Sequence, residues 1–137
     1  MSYAKVTNHR QSPRKVRLVA DLVRGRDLNE ALVVLNVLPK RASEIVSKVV
    51  RSAAANAEHN ENLKSTDLYI KEIRVDEGFT LKRSRPRARG RAFPIRKRTS
   101  HIQVTLGSRA GIQKAIKSEK AEVVAEEKDI KKKPVKA

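Results

Sequence analysis

Five arginines stand at alternate positions, 83, 85, 87, 89 and 91, inside the run Lys82-Arg-Ser-Arg-Pro-Arg-Ala-Arg-Gly-Arg-Ala-Phe-Pro-Ile-Arg-Lys-Arg98. A guanidinium stays charged at any physiological pH, and its donors match two oxygens of a phosphate. In an extended chain the side chains at i and i+2 project to one side, so the five would form a single rail. Its repeat would be about 7 Å, comparable to the phosphate spacing of a nucleic-acid strand. On a helix the same residues would spiral around the axis, and Pro86, Gly90 and Pro94 oppose a helix in any case. The intervening Ser84, Pro86, Ala88, Gly90 and Ala92 are small, so the rail can thread a narrow space. The chemistry is phosphate neutralisation, extended by Lys82, Arg96, Lys97 and Arg98.

The charge of the whole chain supports that reading. Its 137 residues carry 32 Lys and Arg against 15 Asp and Glu, a formal net charge of +17. Self-repulsion on that scale opposes compaction and implies a polyanionic partner. The charge is also localised. Residues 1–77 hold 14 basic and 10 acidic residues, residues 78–118 hold 12 basic and no acid, and residues 119–137 hold 6 and 5. Lys131–Lys133, beside Glu126, Glu127 and Asp129, reads as a solvated cluster with weak, non-specific affinity for RNA. Aromatics are few, with two Tyr, two Phe and no Trp. Proteins that stack single-stranded bases usually display several aromatic platforms, so backbone contact is expected instead.

Catalysis finds little support. His9, His59 and His101 fall in separate elements without ligand spacing, and the acids cluster in helices and at Asp76-Glu77. There is no phosphate loop and no nucleophile with a base, so neither an enzyme, a cofactor nor a bound metal is expected. The absence of cysteine excludes disulfides and thiol chemistry. No apolar run approaches the roughly 18 residues of a membrane span, so no membrane partner is expected. Met1–Val6 reads as strand rather than as the start of a signal peptide. A reducing interior follows, the cytoplasm or the inside of an organelle.

The elements that must carry the arginine run can be read from periodicity. Ala4–Arg10 has the alternation of a short strand. Ser12-Pro13 gives an N-cap with proline at the first helical position. Val16, Val19, Ala20 and Val23 then recur at helical spacing, Leu18 and Leu22 widen the apolar face, and Gly25 closes the helix. Asp27 and Glu30 resemble a capping box before Leu28, Ala31, Leu32 and Leu35. Past Pro39, the residues Ala42, Ile45, Val46, Val49, Val50, Ala53 and Ala57 make an unbroken helical stripe, with Glu44 and Lys48 paired outside it. The stripe fades at Asn56–Asn62, which reads as loop. Leu68–Val75 reads as a strand whose alternation slips between Ile70 and Ile73, predicting a bulge or cover on both faces. Thr99–Leu106 alternates cleanly through Ile102, Val104 and Leu106.

The predicted fold is therefore α+β: a three-stranded antiparallel sheet packed with three helices. A long β-hairpin arm, about 78–98, protrudes between the last two strands. The predicted core is Val16, Val19, Leu32, Ile45, Val49, Ile73, Ile102 and Val104, all outside the arm. A loop of 17 residues pinned by strands at both ends is uncommon unless it is functional. Arg14, Lys15 and Arg17, with Lys5 and Arg10 nearby, are secondary phosphate candidates. His101, on the exposed side of its strand, is a candidate to hydrogen-bond RNA. Residues 108–137 read as a flexible charged extension with transient helix around Ile112–Ile116.

Arg87-Ala-Arg-Gly-Arg-Ala-Phe-Pro-Ile-Arg-Lys-Arg-Thr-Ser-His-Ile-Gln-Val104 resembles the signature of the large-subunit ribosomal protein family numbered twenty-two. Ser12-Pro-Arg-Lys-Val-Arg-Leu-Val-Ala-Asp-Leu-Val-Arg-Gly25 and Ala53-Ala-Ala-Asn-Ala-Glu-His-Asn60 are similar to its bacterial and plastid members. The likeness covers residues 4 to 107; no counterpart is recognised from 108 onward. It implies a structural constituent of the large ribosomal subunit, in the cytoplasm or an organelle, that binds 23S-type rRNA and assists its assembly. It also implies an arm along the wall of the polypeptide exit tunnel, close to the nascent polypeptide, to the ribosomal protein numbered four and to where macrolides act. Arg85, Pro86, Arg87, Ala88, Arg89, Gly90 and Arg91 would then line the tunnel, with Leu81–Arg83 near its wall. A histone-like architectural DNA-binding protein also uses basic β-arms, but as a dimer with two of them. One arm, with no obvious unpaired apolar helix face, favours a monomer embedded in RNA rather than a homo-oligomer.

Overall fold

Helical stripes and strand alternation produce the expected types of element, and the chain order places the last strand in the middle of the sheet. The computed structural model describes residues 2–109. Strand β1 (Tyr3–His9) leads into helices α1 (Pro13–Val23), α2 (Leu28–Val37) and α3 (Arg41–Glu61). Strand β2 (Leu68–Glu77), the hairpin strands β3 (Leu81–Pro86) and β4 (Ala92–Lys97), and β5 (Ser100–Ser108) follow. The order in the three-stranded sheet is β1-β5-β2, while β3 and β4 pair in a separate two-stranded ribbon. The fold is thus α+β, with a head and an arm.

The helical stripes face the sheet: α3 packs on β1 and α1 on β2. Val16, Val19 and Val23 meet Val46, Val49 and Val50, and Ile70, Ile73, Ile102, Val104 and Leu106 close the core from the sheet. Leu32 and Ile45, expected inside, are only partly buried at its margin. The core is aliphatic, and neither phenylalanine enters it. Leu18 and Leu22, expected to widen the buried face of α1, are instead exposed at 67% and 45%. The surface that the helix covers is narrower than its apolar arc.

Several local readings change in the folded chain. The segment Asn56–Asn62 is not a loop: α3 continues to Glu61 and stops at Asn62, whose φ of 51° is left-handed. Its polar residues are the solvent side of a last turn that Ala57 anchors from the buried side, while Asn56 donates to the Tyr3 carbonyl across 3.0 Å. The capping box does not form, since Asp27 makes no side-chain cap and pairs through its backbone with Tyr69. Along β2 the buried positions change phase, Leu68 and Ile70 before the slip and Ile73 and Val75 after it, with Lys71, Glu72 and Arg74 exposed. A register irregularity lies in β1 as well. Val6 pairs with Ile102 but His9 with Ser100, so β1 holds one extra residue there, and Asn8 takes φ 56°. The Glu44–Lys48 pair forms as expected at 2.8 Å, and that hydrogen bond and charge hold the Glu44 carboxyl below its usual range.

The outer edge of β2 is covered by α1 and the turn after it. Gly25, at φ 76°, donates to the Ile70 carbonyl at 3.0 Å, and the Ile70 amide donates to Arg26 at 2.9 Å. Further along, Arg24 donates to the Ile73 carbonyl and Arg17 to that of Val75. No helix among the described residues is long and apolar enough to cross a membrane. The charged extension expected from 108, the helix expected around 112–116 and the lysine cluster at 131–133 lie outside the described residues, apart from Ser108 and Arg109.

Every residue from 82 to 98 is exposed, so head and arm should be thermodynamically separable. Joining Leu81 to Thr99 through a short Gly-containing turn should leave a cooperative melt within a few degrees of the parent's, because shortening a loop costs little. Ile102→Ala, which removes no charge but leaves a cavity in the middle strand, should cost about 2–5 kcal/mol. Circular dichroism melts of the two variants decide. An armless protein that loses cooperativity would show the arm to be part of the core.

Candidate nucleic-acid interface

The arm begins where β2 ends, and a small set of contacts fixes its root. The Gly78 amide donates to the Thr99 carbonyl at 3.0 Å, and the Thr99 hydroxyl donates to the Phe79 carbonyl at 2.7 Å. A Cβ on Gly78 would stand 2.5 Å from Thr99 Oγ1 and 3.1 Å from the His101 ring, so only glycine allows this approach. His101 in turn accepts the Asn8 amide at Nδ1, 3.0 Å away. One edge of its ring therefore holds the β1 irregularity while the other lies against the root of the arm.

From that root the ribbon runs in regular register, Leu81 opposite Lys97, Arg83 opposite Ile95, Arg85 opposite Phe93 and Pro86 opposite Ala92. The tip is the three-residue turn Ala88–Gly90, closed by the Arg87 amide on the Arg91 carbonyl at 2.8 Å. Counting back from that bond, Pro86–Ala92 and Ser84–Pro94 are the non-hydrogen-bonded pairs. At those positions an N–H would point outward, so neither proline breaks the ribbon.

Register divides the arm into two faces. Arg83, Arg85, Arg87, Arg91 and Lys97 share one with Phe93 and Ile95. Ser84, Pro86, Ala92 and Pro94 make up most of the other, with Lys82 and Arg96 nearer the root. The five-arginine rail is therefore corrected at one position. Arg89 leaves it because the chain turns there, at φ 60° and ψ 35°. The remaining four stay on one side, as the alternate spacing requires. Among the six register pairs only Lys82 with Arg96 sets cation against cation, which limits repulsion within the ribbon.

Where arm meets head, an open groove of about 800 Å³ is lined by Arg10, Lys15 and Arg41 on one side and Arg83, Arg96, Lys97 and Arg98 on the other. Gln11, Ser12, Leu81 and Thr99 complete the lining, and among the described residues no carboxylate contributes. Cations gathered in one groove repel one another, so the groove favours an anion that spans several of them. Of the residues predicted on the first helix, Lys15 joins the groove, whereas Arg14 and Arg17 do not line it. Arg17 spends its guanidinium on the Val75 carbonyl, at 3.0 and 3.2 Å from two of its nitrogens. His101 also lies outside the lining. Arg41 was missed by sequence reasoning. A signal existed, because Lys40 and Arg41 put two cations at the start of α3, where the helix dipole disfavours them. Among the described residues no group of three or more His, Cys, Asp or Glu could hold a metal ion.

The head thus fixes an exposed cationic arm, with a groove lined by seven cations at its root. Comparison with known proteins gives the family. The profile described as Ribosomal protein L22p/L17e matches residues 4–107. The Large ribosomal subunit protein uL22 of Lactobacillus delbrueckii subsp. bulgaricus is 57% identical over 103 residues, 75% of this chain and 88% of its own. Its namesake in Lactobacillus helveticus is 55% identical over 106 residues, 77% and 91% of the two chains. That of Pelotomaculum thermopropionicum is 59% identical over 100 residues, 73% and 88%. The chain belongs to the ribosomal protein L22p/L17e family. It is a structural constituent of the large subunit of a bacterial-type cytoplasmic ribosome, and not an enzyme.

The two arginines of α1 can be told apart by experiment. Arg17→Met removes the donors to Val75 and should lower stability by about 1–3 kcal/mol in a denaturant titration. Arg14→Met should leave the midpoint unchanged. Equal effects would mean that the Val75 contact does not contribute to folding.

Proposed function

We propose that this protein binds large-subunit rRNA through the groove at the arm's root and along the arm, and assists the assembly of that rRNA. The observation that carries the reading is the groove itself, where, among the described residues, head and arm together present seven cations and no acid. Lys82, Arg83, Arg85, Arg87, Arg91, Arg96, Lys97 and Arg98 supply phosphate contacts from the arm, and Lys15, Arg10 and Arg41 from the head. Arg14, Arg17, Arg89 and His101 are second-rank candidates, the first exposed on α1, the next two with the geometry described above, and His101 at the root. The domain that binds is residues 1–107, with the arm at about 78–98.

We further infer that the arm follows the wall of the polypeptide exit tunnel, near the nascent chain and the ribosomal protein numbered four. Arg85–Arg91 then lie at the wall, and the narrow face of Ser84, Pro86, Ala92 and Pro94 suits a confined path. The family to which the chain belongs supports this placement.

Binding that rests on phosphate neutralisation loses affinity steeply with salt. Replacing Lys15, Arg41 and Arg96 by Ala should make the log–log salt slope for a large-subunit rRNA transcript shallower by about 2–3 units. An unchanged slope would move the main contact away from the groove. Large subunits carrying the armless variant should assemble, bind the protein less tightly and change in macrolide sensitivity. If they form normally and respond to macrolides as before, the arm does not reach the tunnel.

A further inference from the structure

The chain has two phenylalanines, and both are displayed on the segment that leaves the head: Phe79 is 71% exposed and Phe93 57%. A protein short of aromatics would be expected to spend them in its core. Here the core is aliphatic, and a large ring stands on an arm whose neighbours are otherwise charged or small. Solubility does not ask for it, and the arm's own packing does not need it, since Phe93 faces Arg85 across the ribbon rather than another apolar side chain.

The ring's surroundings indicate what it meets. Arg85 lies directly opposite, Arg91 is two residues back on the same face, and the Arg87 guanidinium sits over the ring, 5.9 Å from its centroid. Three cations around one exposed aromatic match the parts of a nucleotide, a flat π-system flanked by phosphates. Ile95, 41% exposed and on the same face, extends the apolar floor toward the root. The opposite face of the arm offers small side chains, with Lys82 and Arg96 nearer the root, and no aromatic platform.

We propose that Phe93 is a stacking platform for an unpaired nucleobase of the bound RNA, with Arg87 completing the bracket and Arg85 and Arg91 holding the adjoining phosphates. This rests on the reading that the arm binds rRNA, and it adds a base contact to an interface otherwise built on the backbone. Stacking tolerates any base, so the platform selects for an unstacked nucleotide rather than for a sequence.

The experiment uses the full chain, a full-length large-subunit rRNA transcript and the variants Phe93→Leu, Phe93→Ala and Phe93→Trp. Loss of one stacked base should weaken binding by about 5- to 100-fold for Leu and Ala, and Trp should bind as tightly as the parent. The salt slope should be the same in all four proteins, because no phosphate contact has been removed. Short-wavelength ultraviolet cross-linking should leave a nucleotide adduct on the peptide that contains Phe93. The side chain is outside the core, so all four should melt alike. Leu binding like the parent while Ala binds weakly would overturn the proposal in favour of a plain apolar contact without stacking. Leu and Ala both binding like the parent would overturn it outright, with rRNA binding intact. A parent that fails to bind the transcript would remove the rRNA reading itself.

Discussion

Ile102, Val104 and Leu106 take the strand that follows the arm into the centre of the core, where all three are buried. Because β5 lies between β1 and β2, this burial fixes both neighbours and, with them, the two ends of the arm. The residues from Lys82 to Arg98 stand exposed off the head. Their ends are held at one root, and between them stand nine cations and no acid. Apolar burial in the head, rather than any contact within the arm, aims the arm. The close approach at Gly78 is open only to glycine, since Thr99 and His101 occupy the space that a side chain there would need.

Electrostatics and packing are divided along the chain in a way that makes this arrangement foldable. Residues 1–77 carry a net charge of only +4, so the head collapses without much self-repulsion. Some of its cations have tasks inside the fold. Arg17 and Arg24, seven residues apart on α1 and just beyond it, reach the carbonyls of Val75 and Ile73 and close an edge that could otherwise pair with another chain. Arg24 is also neutralised by Asp21 at 2.9 Å. Among the described residues, the arm's carboxylate contact is the loose pair of Arg98 with Glu77 at the root, 3.9 Å apart and well exposed, which contributes little.

How much of this the sequence discloses depends on whether a feature is local. Strands and helices follow from spacing, and the arm follows from arginines alternating with small residues and prolines. Its two faces follow too, once the turn is placed. Arg89 escaped that reading because a left-handed residue at a tip is set by how many residues the turn needs, and periodicity carries no such count. Leu18 and Leu22 misled because an apolar residue on a helix says nothing about how wide a surface it meets. The same holds for Asn56–Asn62, where polar residues are as compatible with a helix's wet side as with a loop. The candidate site's geometry was legible along the arm and obscure at its root. Arg41 lies 42 residues before Arg83 in the chain, and only the folded head brings both to one groove. Arg17 shows the converse, since its spacing fits a phosphate ligand and its partner is a backbone carbonyl 58 positions away.

The prolines tie local chemistry to the arm's task. In a ribbon of two strands both edges are open, and a long exposed ribbon invites further strands to add to it. Pro86 and Pro94 fall at the pairs whose amides would face outward, so each removes a donor that a third strand would need. They sit on the face that carries Ser84 and Ala92, leaving that side thin. The other side holds the arginines, Phe93 and Ile95 at full reach. An arm so built resists pairing with other strands, is thin on one face and carries its long side chains on the other.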